Sequence, residues 1–321
     1  MTSQEEKQKE FKPFIIANPI YDTVFKKLME NMRIVKFFLS VILGRQVTAV
    51  EVLPQEFTYK DRDKKNENDS TKKEDKIVPY SIYRIDFMAT IRTENGEYRK
   101  ILIEVQKSLE TIDISRFRKY LGEQYSNENT VIIDNVEKKL TLPITTIYIL
   151  GNKLAEIKCS CLKVEREYTD MLTNEPVDER DDFVEKLTHD SYIIQAGRIS
   201  DTRYVTRLEK LLSIFEQRYF VKNGSEAIKE YRYQPAAEDE EIMLITKTLH
   251  EMGVDPEERK RIEDEAEYIR TIDDIWGIRL REQAKTIEEN KKTIEEKDKI
   301  IEEQAKKIAE MEHFLRNNQT E

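Results

Sequence analysis

The chain is poor in the residues that disulfide scaffolds, turn-rich repeats and membrane spans require. Its 321 residues include two cysteines, Cys159 and Cys161. That excludes a disulfide framework and fits a reducing compartment. Eight glycines and eight prolines exclude collagen-like and Gly/Ser low-complexity chains. No apolar run reaches the ~18 residues of a membrane-spanning helix, so no membrane partner is expected. The polar start, MTSQEEKQKEF, does not read as a signal peptide. The histidines, His189, His250 and His313, are scattered, which gives no footing for a Ser-His-Asp or Cys-His device. No partner is present to make a zinc site of Cys159 and Cys161. The absence of Walker A and GxGxxG patterns leaves no reason for a nucleotide cofactor. The expectation is a cytoplasmic protein.

Charge, by contrast, is abundant: 37% of residues are Asp, Glu, Lys or Arg, against a usual ~25%. A long solvated segment must therefore accompany a globular part. The net charge of −10 is local: residues 235–275 carry −9 and residues 276–321 carry −1, leaving residues 1–234 at zero. A basic face on the globular part, and hence a nucleic-acid partner, is not excluded by the total.

Residues 1–17 read as a polar leader. Asn18 as cap and Pro19 at the first helical position then open a helix through YDTVFKKLMENM. A second helix carries Val35, Phe38, Leu39, Ile42 and Leu43, and Gly44 is its stop. VTAVEVLPQEFTY (47–59) is a strand interrupted by Pro54. Residues 60–76 hold 13 charges in 17 positions. They read as a flexible surface insertion, with a DNA-tethering loop as the alternative. Two strand-like runs at 80–92 and 97–107 flank Glu94-Asn95-Gly96, followed by a helix over about 111–127 with Phe117 and Leu121 on one face. A buried strand is expected at 143–150, weaker strands at 159–168 and 191–196, and helix from 203 to 275. The pattern gives an α/β or α+β core with a helical extension. The division expected is a core over 18–235, an acidic helical segment at 236–275, whose cluster 255–267 reads as a solvated face, and a tail at 276–318. In the tail Leu280, Ile287, Ile294, Ile301, Ile308 and Leu315 repeat every seven residues. The second seam position is polar or alanine in either phase. The tail is therefore a weak coiled coil joining copies of the chain, or a solvated single helix.

The hairpin carries the chemistry. A two-residue turn at Asn95-Gly96 places acids among apolar residues. A three-residue loop with left-handed Gly96 shifts the register by one. Ile85, Phe87, Ala89 and Ile91 then share an apolar face with Ile101, Ile103 and Val105. The opposite face carries Arg84, Asp86, Met88, Thr90, Leu102, Glu104 and Gln106. Since a one-residue slip moves every side chain, this segregation selects the second register. Asp86 then lies opposite Glu104, and two facing carboxylates repel unless something offsets them. A divalent cation does so through hard oxygen ligands. Neutralisation by Arg84, or plain solvation, is the alternative.

Several motifs in order, Asp22-x-x-Phe25-Lys26-x-x-Met29, the apolar Phe37–Gly44 segment, Val50–Glu56, Ile85-Asp86 and Ile103-Glu104-Val105-Gln106, followed by a helix with Arg116 and Tyr120, resemble the PD-(D/E)XK nuclease superfamily. More closely, they resemble its transposase-like branch of recombination-promoting nucleases. The resemblance spans about 18–150, and more loosely to 235. It implies a restriction-endonuclease-like core, with a mixed central sheet flanked by helices, and Mg²⁺-dependent cleavage of DNA, Mn²⁺ being the substitute. Asp86, Glu104 and the Val105 carbonyl would hold the metal. Gln106 would stand where many members have Lys, and Asp22 would be a further acid; its other reading is a surface residue paired with Lys26. Arg116, Arg118, Lys119 and Tyr120 would contact DNA. Lysine can stabilise developing phosphorane charge, whereas Gln only positions by hydrogen bonds. The second reading is therefore an inactive DNA-binding or assembly protein whose tail does the work.

Overall fold

A computed structural model describes residues 13–54, 56–60, 80–107, 114–133, 136–199, 204–221, 226–233, 235 and 238–317; of 56–60, 80–84, 115–116 and 312–317 it describes the backbone alone. The elements begin with β1 (Phe14–Ala17), α1 (Asp22–Met29), α2 (Met32–Leu43), β2 (Val47–Val52), β3 (Glu56–Lys60), β4 (Tyr80–Arg84), β5 (Phe87–Thr93) and β6 (Tyr98–Gln106). Then come α3 (Ile114–Ser126), β7 (Asn129–Ile133), β8 (Val136–Leu140), β9 (Ile144–Leu150), β10 (Cys161–Val164), β11 (Tyr168–Thr169) and β12 (Pro176–Val177). The chain closes with α4 (Asp182–Leu187), β13 (His189–Gln195), α5 (Arg207–Leu212), β14 (Ile228–Tyr231), α6 (Glu240–Val254) and α7 (Pro256–Asn317). Contacts divide it into two compact units, Met1–Ile269 and Arg270–Glu321. No helix is long and apolar enough to cross a membrane among the described residues.

The first unit is α/β, built on a mixed six-stranded sheet in the order β10-β13-β9-β6-β5-β2. β6, β9 and β13 run parallel, and β10, β5 and β2 are antiparallel to their neighbours. Parallel strands need a crossover, and α3 lies between β6 and β9 in the chain. Helices cover such a sheet on both faces, so its central strands read as continuous apolar runs. One face (Phe87, Ala89, Ile91, Ile101, Ile103, Ile147, Ile149) joins a core with α1, α2, α5 and α6. The other (Met88, Leu102, Ile144) packs on Phe117, Tyr120 and Leu121 of α3. α2 presents seven buried apolar residues, from Ile34 to Leu43. Burial at roughly 2 kcal/mol per side chain outweighs the modest helix propensity of its β-branched positions. Asn31 caps its start, accepting from the N–H groups of Arg33 and Ile34, and Gly44 ends it at φ 65°.

The β5–β6 register is the three-residue-loop one: Phe87 pairs with Ile103, Ala89 with Ile101 and Arg92 with Tyr98. The Gly96 N–H donates to Thr93 O (3.0 Å), and Gly96 has φ 81°.

Several expectations are corrected. Residues 14–17 are not leader but β1, paired with β14, with Ile16 and Ala17 fully buried. The first helix starts at Asp22; Asn18 is instead buried, its side-chain amide donating to Gln217 and to the Glu226 carbonyl. The stretch from 203 is not uniformly helical, since β14 lies within it. Ile85 leaves the expected face and joins Met88 and Leu102. The polar face of the hairpin is not solvated, because α3 covers it: Thr90, Lys100 and Glu104 are all buried. The insertion at 60–76 lies outside the described residues beyond Lys60.

Lys100 on β6 is 1% exposed, and among the described residues its ammonium donates to the Gln124 side chain (3.0 Å) and carbonyl (3.3 Å) and meets no carboxylate. Burial without a carboxylate partner lowers its pKa from 10.5 to about 8. Below pH 8 the lysine is charged in both folded and unfolded chains and the full desolvation cost applies. Between about 8 and 10.5 the unfolded chain binds more protons, so stability rises with pH. Lys100→Met is expected to raise stability at pH 7 by on the order of 3 kcal/mol. The gap to wild type should narrow from pH 8 to 10 in urea unfolding; a gap independent of pH would refute the burial cost.

Candidate active site

The parallel strands β6, β9 and β13 end level with one another, Gln106 pairing with Leu150 and Leu150 with Gln195. In open α/β sheets the carboxyl ends of strands are where ligands are bound. Antiparallel β5 begins at this same end. Continuing its register by one residue sets Asp86 level with Glu104. Asp86 is outside the ladder, and its carboxylate Oδ2 accepts the Val105 backbone N–H at 2.6 Å. Glu104 is 6% exposed. Gly151 lets the turn after β9 close on this end: its N–H donates to Gln106 O at 2.7 Å, and a Cβ there would lie 3.0 Å from Lys107 O.

Electrostatics draws a third acid into the group. Asp86 is held well above the usual carboxylate range, first by burial, then by the charges of Glu104 and Asp22. The Val105 N–H and the Lys26 ammonium oppose this without cancelling it. Asp22 is the first residue of α1. Its Oδ2 takes Lys26 at 2.5 Å, four residues on, while its Oδ1 is buried with no hydrogen-bond partner among the described residues.

α1 has a further anchor. Tyr21 occupies its N-cap position without a side-chain cap. The orphan N–H groups of Asp22 and Thr23 donate instead to the two carboxylate oxygens of Glu265 on α7, at 2.8 and 3.1 Å. The acidic segment is therefore not a purely solvated face. Ile262 and Ala266 are buried in the main core, and Glu265 between them completes α1.

The remaining expected residues fall as follows. Gln106 is half-buried at the end of β6. Lys107 is turned away into an ion pair with Glu226. Arg118 and Lys119 are exposed on α3. Tyr120 is 2% exposed and edge-on to Phe117, so its ring packs in the core under the sheet. Arg116 lies in α3, but its side chain is outside the described residues, as is that of Arg84. Cys159 and Cys161 are free thiols. His189 is engaged by Tyr125, at 2.7 Å. Sequence reasoning missed Glu265 and the influence of Lys26 on Asp86. The Asp22–Lys26 pairing was read from its spacing, but not its reach to Asp86; Glu265, 243 residues from Asp22, carries no local signal.

A hard divalent cation fits the chemistry of this end. Its donors are carboxylate oxygens, Asp22 has an orphaned oxygen, and the Asp86–Glu104 repulsion lacks a full offset. No group of three or more His, Cys, Asp or Glu is gathered at metal-holding distance among the described residues. Comparisons with family models, curated proteins and solved structures find no match.

Glu265→Ala is expected to destabilise the protein by about 1–2 kcal/mol through loss of the α1 cap. Asp264→Ala, on the exposed side of the same turn, should stay within about 0.5 kcal/mol. Chemical denaturation of the two variants checks this; equal effects would remove the capping role.

Proposed function

We propose that the chain is a metal-dependent endodeoxyribonuclease with a restriction-endonuclease-like core, acting in recombination or on mobile elements. The observation that carries the reading is the setting of Asp86 level with buried Glu104 where the parallel strands end, with Asp22 close enough to raise the Asp86 pKa. The ordered motifs from Asp22 to Gln106 add the family resemblance.

Asp86, Glu104 and the Val105 carbonyl would hold the ion. Mg²⁺ or Mn²⁺ bound there supplies the positive charge that makes water a nucleophile at neutral pH and offsets charge on a phosphoryl oxygen. The Val105 N–H fixes one oxygen of Asp86, orienting the carboxylate before substrate arrives. Asp22 adds negative charge, which raises the group's affinity for a cation. Lys26 holds Asp22 and leaves its second oxygen unspent. Gln106 would position water by hydrogen bonding rather than by charge. Arg118 and Lys119, exposed on α3, would meet backbone phosphates and set the position of the duplex.

A second reading, an inactive DNA-binding or assembly protein, is favoured by α7. Leu280, Ile287, Ile294, Ile301 and Ile308 recur every seven residues and are each more than half exposed. Such a line fits a coiled coil with another copy. In the nuclease reading the same contact would pair two sites for cutting two strands.

Nicking of supercoiled plasmid by the full chain distinguishes the two. With Mg²⁺ or Mn²⁺ the wild type is expected to convert plasmid to open circle, and EDTA should stop it. Asp86→Ala and Glu104→Ala should each lower the rate by at least about a hundredfold. Equal background nicking in all three proteins would sink the catalytic reading and leave assembly.

A further inference from the structure

Two features far apart in sequence match in apolar character and charge. The first is the β11–β12 hairpin, whose tip presents Met171 and Leu172, each 96% exposed. Singly exposed apolar residues are ordinary, but adjacent ones held out this far are not. The tip is not slack. Asp170 Oδ1 accepts the Leu172 N–H at 2.8 Å, Asp170 O accepts the Asn174 N–H at 2.8 Å, and the Asp170 N–H donates to Glu175 O at 2.9 Å. Asn174 takes the left-handed conformation that closes the turn, at φ 58°. A tip ordered beforehand loses little freedom on docking. Its surroundings are acidic: from Glu165 to Leu187 nine acids stand against three bases.

The second is a groove of about 890 Å³ between α2, α5 and the start of β2. Phe37, Val41, Val47 and Leu208 give it an apolar floor, and its rim carries Arg33, Lys36, Arg45 and Arg207 against Glu94 and Glu241. Arg33 and Arg45 already meet Glu240 and Glu97. Lys36 and Arg207 have no ion pair among the described residues, and the Arg207 guanidinium sits 5.5 Å over the Phe37 ring.

We propose that the hairpin tip of one copy docks in the groove of a second, Met171 and Leu172 meeting the apolar floor and the hairpin's acids meeting Lys36 and Arg207. An anionic membrane or a DNA duplex would be repelled by the acids around the tip; a groove with a cationic excess on another copy is not. The contact is heterologous, joining two different surfaces, so it propagates head to tail unless the rotation closes a ring. It is also small, below the size of a permanent interface, so the association is concentration-dependent.

Sedimentation velocity of the full chain from low to high micromolar concentration tests this. Two variants are compared with wild type: Met171→Asp with Leu172→Asp, and Lys36→Glu with Arg207→Glu. All these side chains lie at the surface or on a groove rim, and thermal melts check folding. The wild type is expected to grow in mass with concentration beyond any contact made by the tail. Each variant alone should lose that growth, association weakening at least about tenfold. An equimolar mixture should regain one contact per pair and stop there. A photoreactive residue at Leu172 should cross-link to Met32, Val41 or Leu208 of an isotopically distinct copy. Unchanged growth in the hairpin variant overturns the proposal, as do cross-links from hairpin to hairpin or to any surface away from the groove.

Discussion

A left-handed backbone at Gly96 sets the geometry on which the acid end of the sheet depends. Space is not the issue, since a Cβ there would meet nothing nearer than 3.8 Å; the constraint is φ, 81°, which a side chain strains. The loop length that follows from it fixes which residues of β5 and β6 face each other. With a register one residue away, Asp86 and Glu104 would no longer be level, and the apolar runs that feed both cores would be exchanged between the faces.

That register brings like charges together, and the fold answers with several partial offsets. The Val105 N–H bonds one oxygen of Asp86, and Lys26 contributes from α1. Neither cancels the effect of burial, which is the largest influence on Asp86. A buried acid whose charge is only partly offset is a natural candidate for a site that works with a cation. Glu265 acts differently: it binds the N–H groups of Asp22 and Thr23, not the acids, and fixes where α1 begins.

Much of the sheet was legible in the sequence because it rests on short-range pattern. The alternation on both sides of Glu94-Asn95-Gly96, the apolar run at 144–150 and the α2 stop at Gly44 each carry their reason locally. The packing of the Tyr120 ring was also legible: Phe117, Tyr120, Leu121 and Gln124 make a helical stripe, and all four are buried. What was not legible depends on chain segments far apart. The cations of the groove come from α2, the turn after it and α5, so no window of sequence shows a basic patch. Glu265 sits in a run of acids that reads as solvated, and only the absence of a capping side chain at Tyr21 hints that something else must serve α1.

The distance in sequence between α1 and its cap bears on the order in which the molecule assembles. The first turn of α1 is made before the carboxylate that completes it, which follows 243 residues later. Contacts of such separation close late, because the loop between them must be organised first. The N–H groups of Asp22 and Thr23 therefore gain this cap only in a chain that reaches Ile262 and Ala266, which seat Glu265 in the core. A nascent or truncated chain ending before Pro256 would contain every acid of the candidate site and still lack the means to fix one of them.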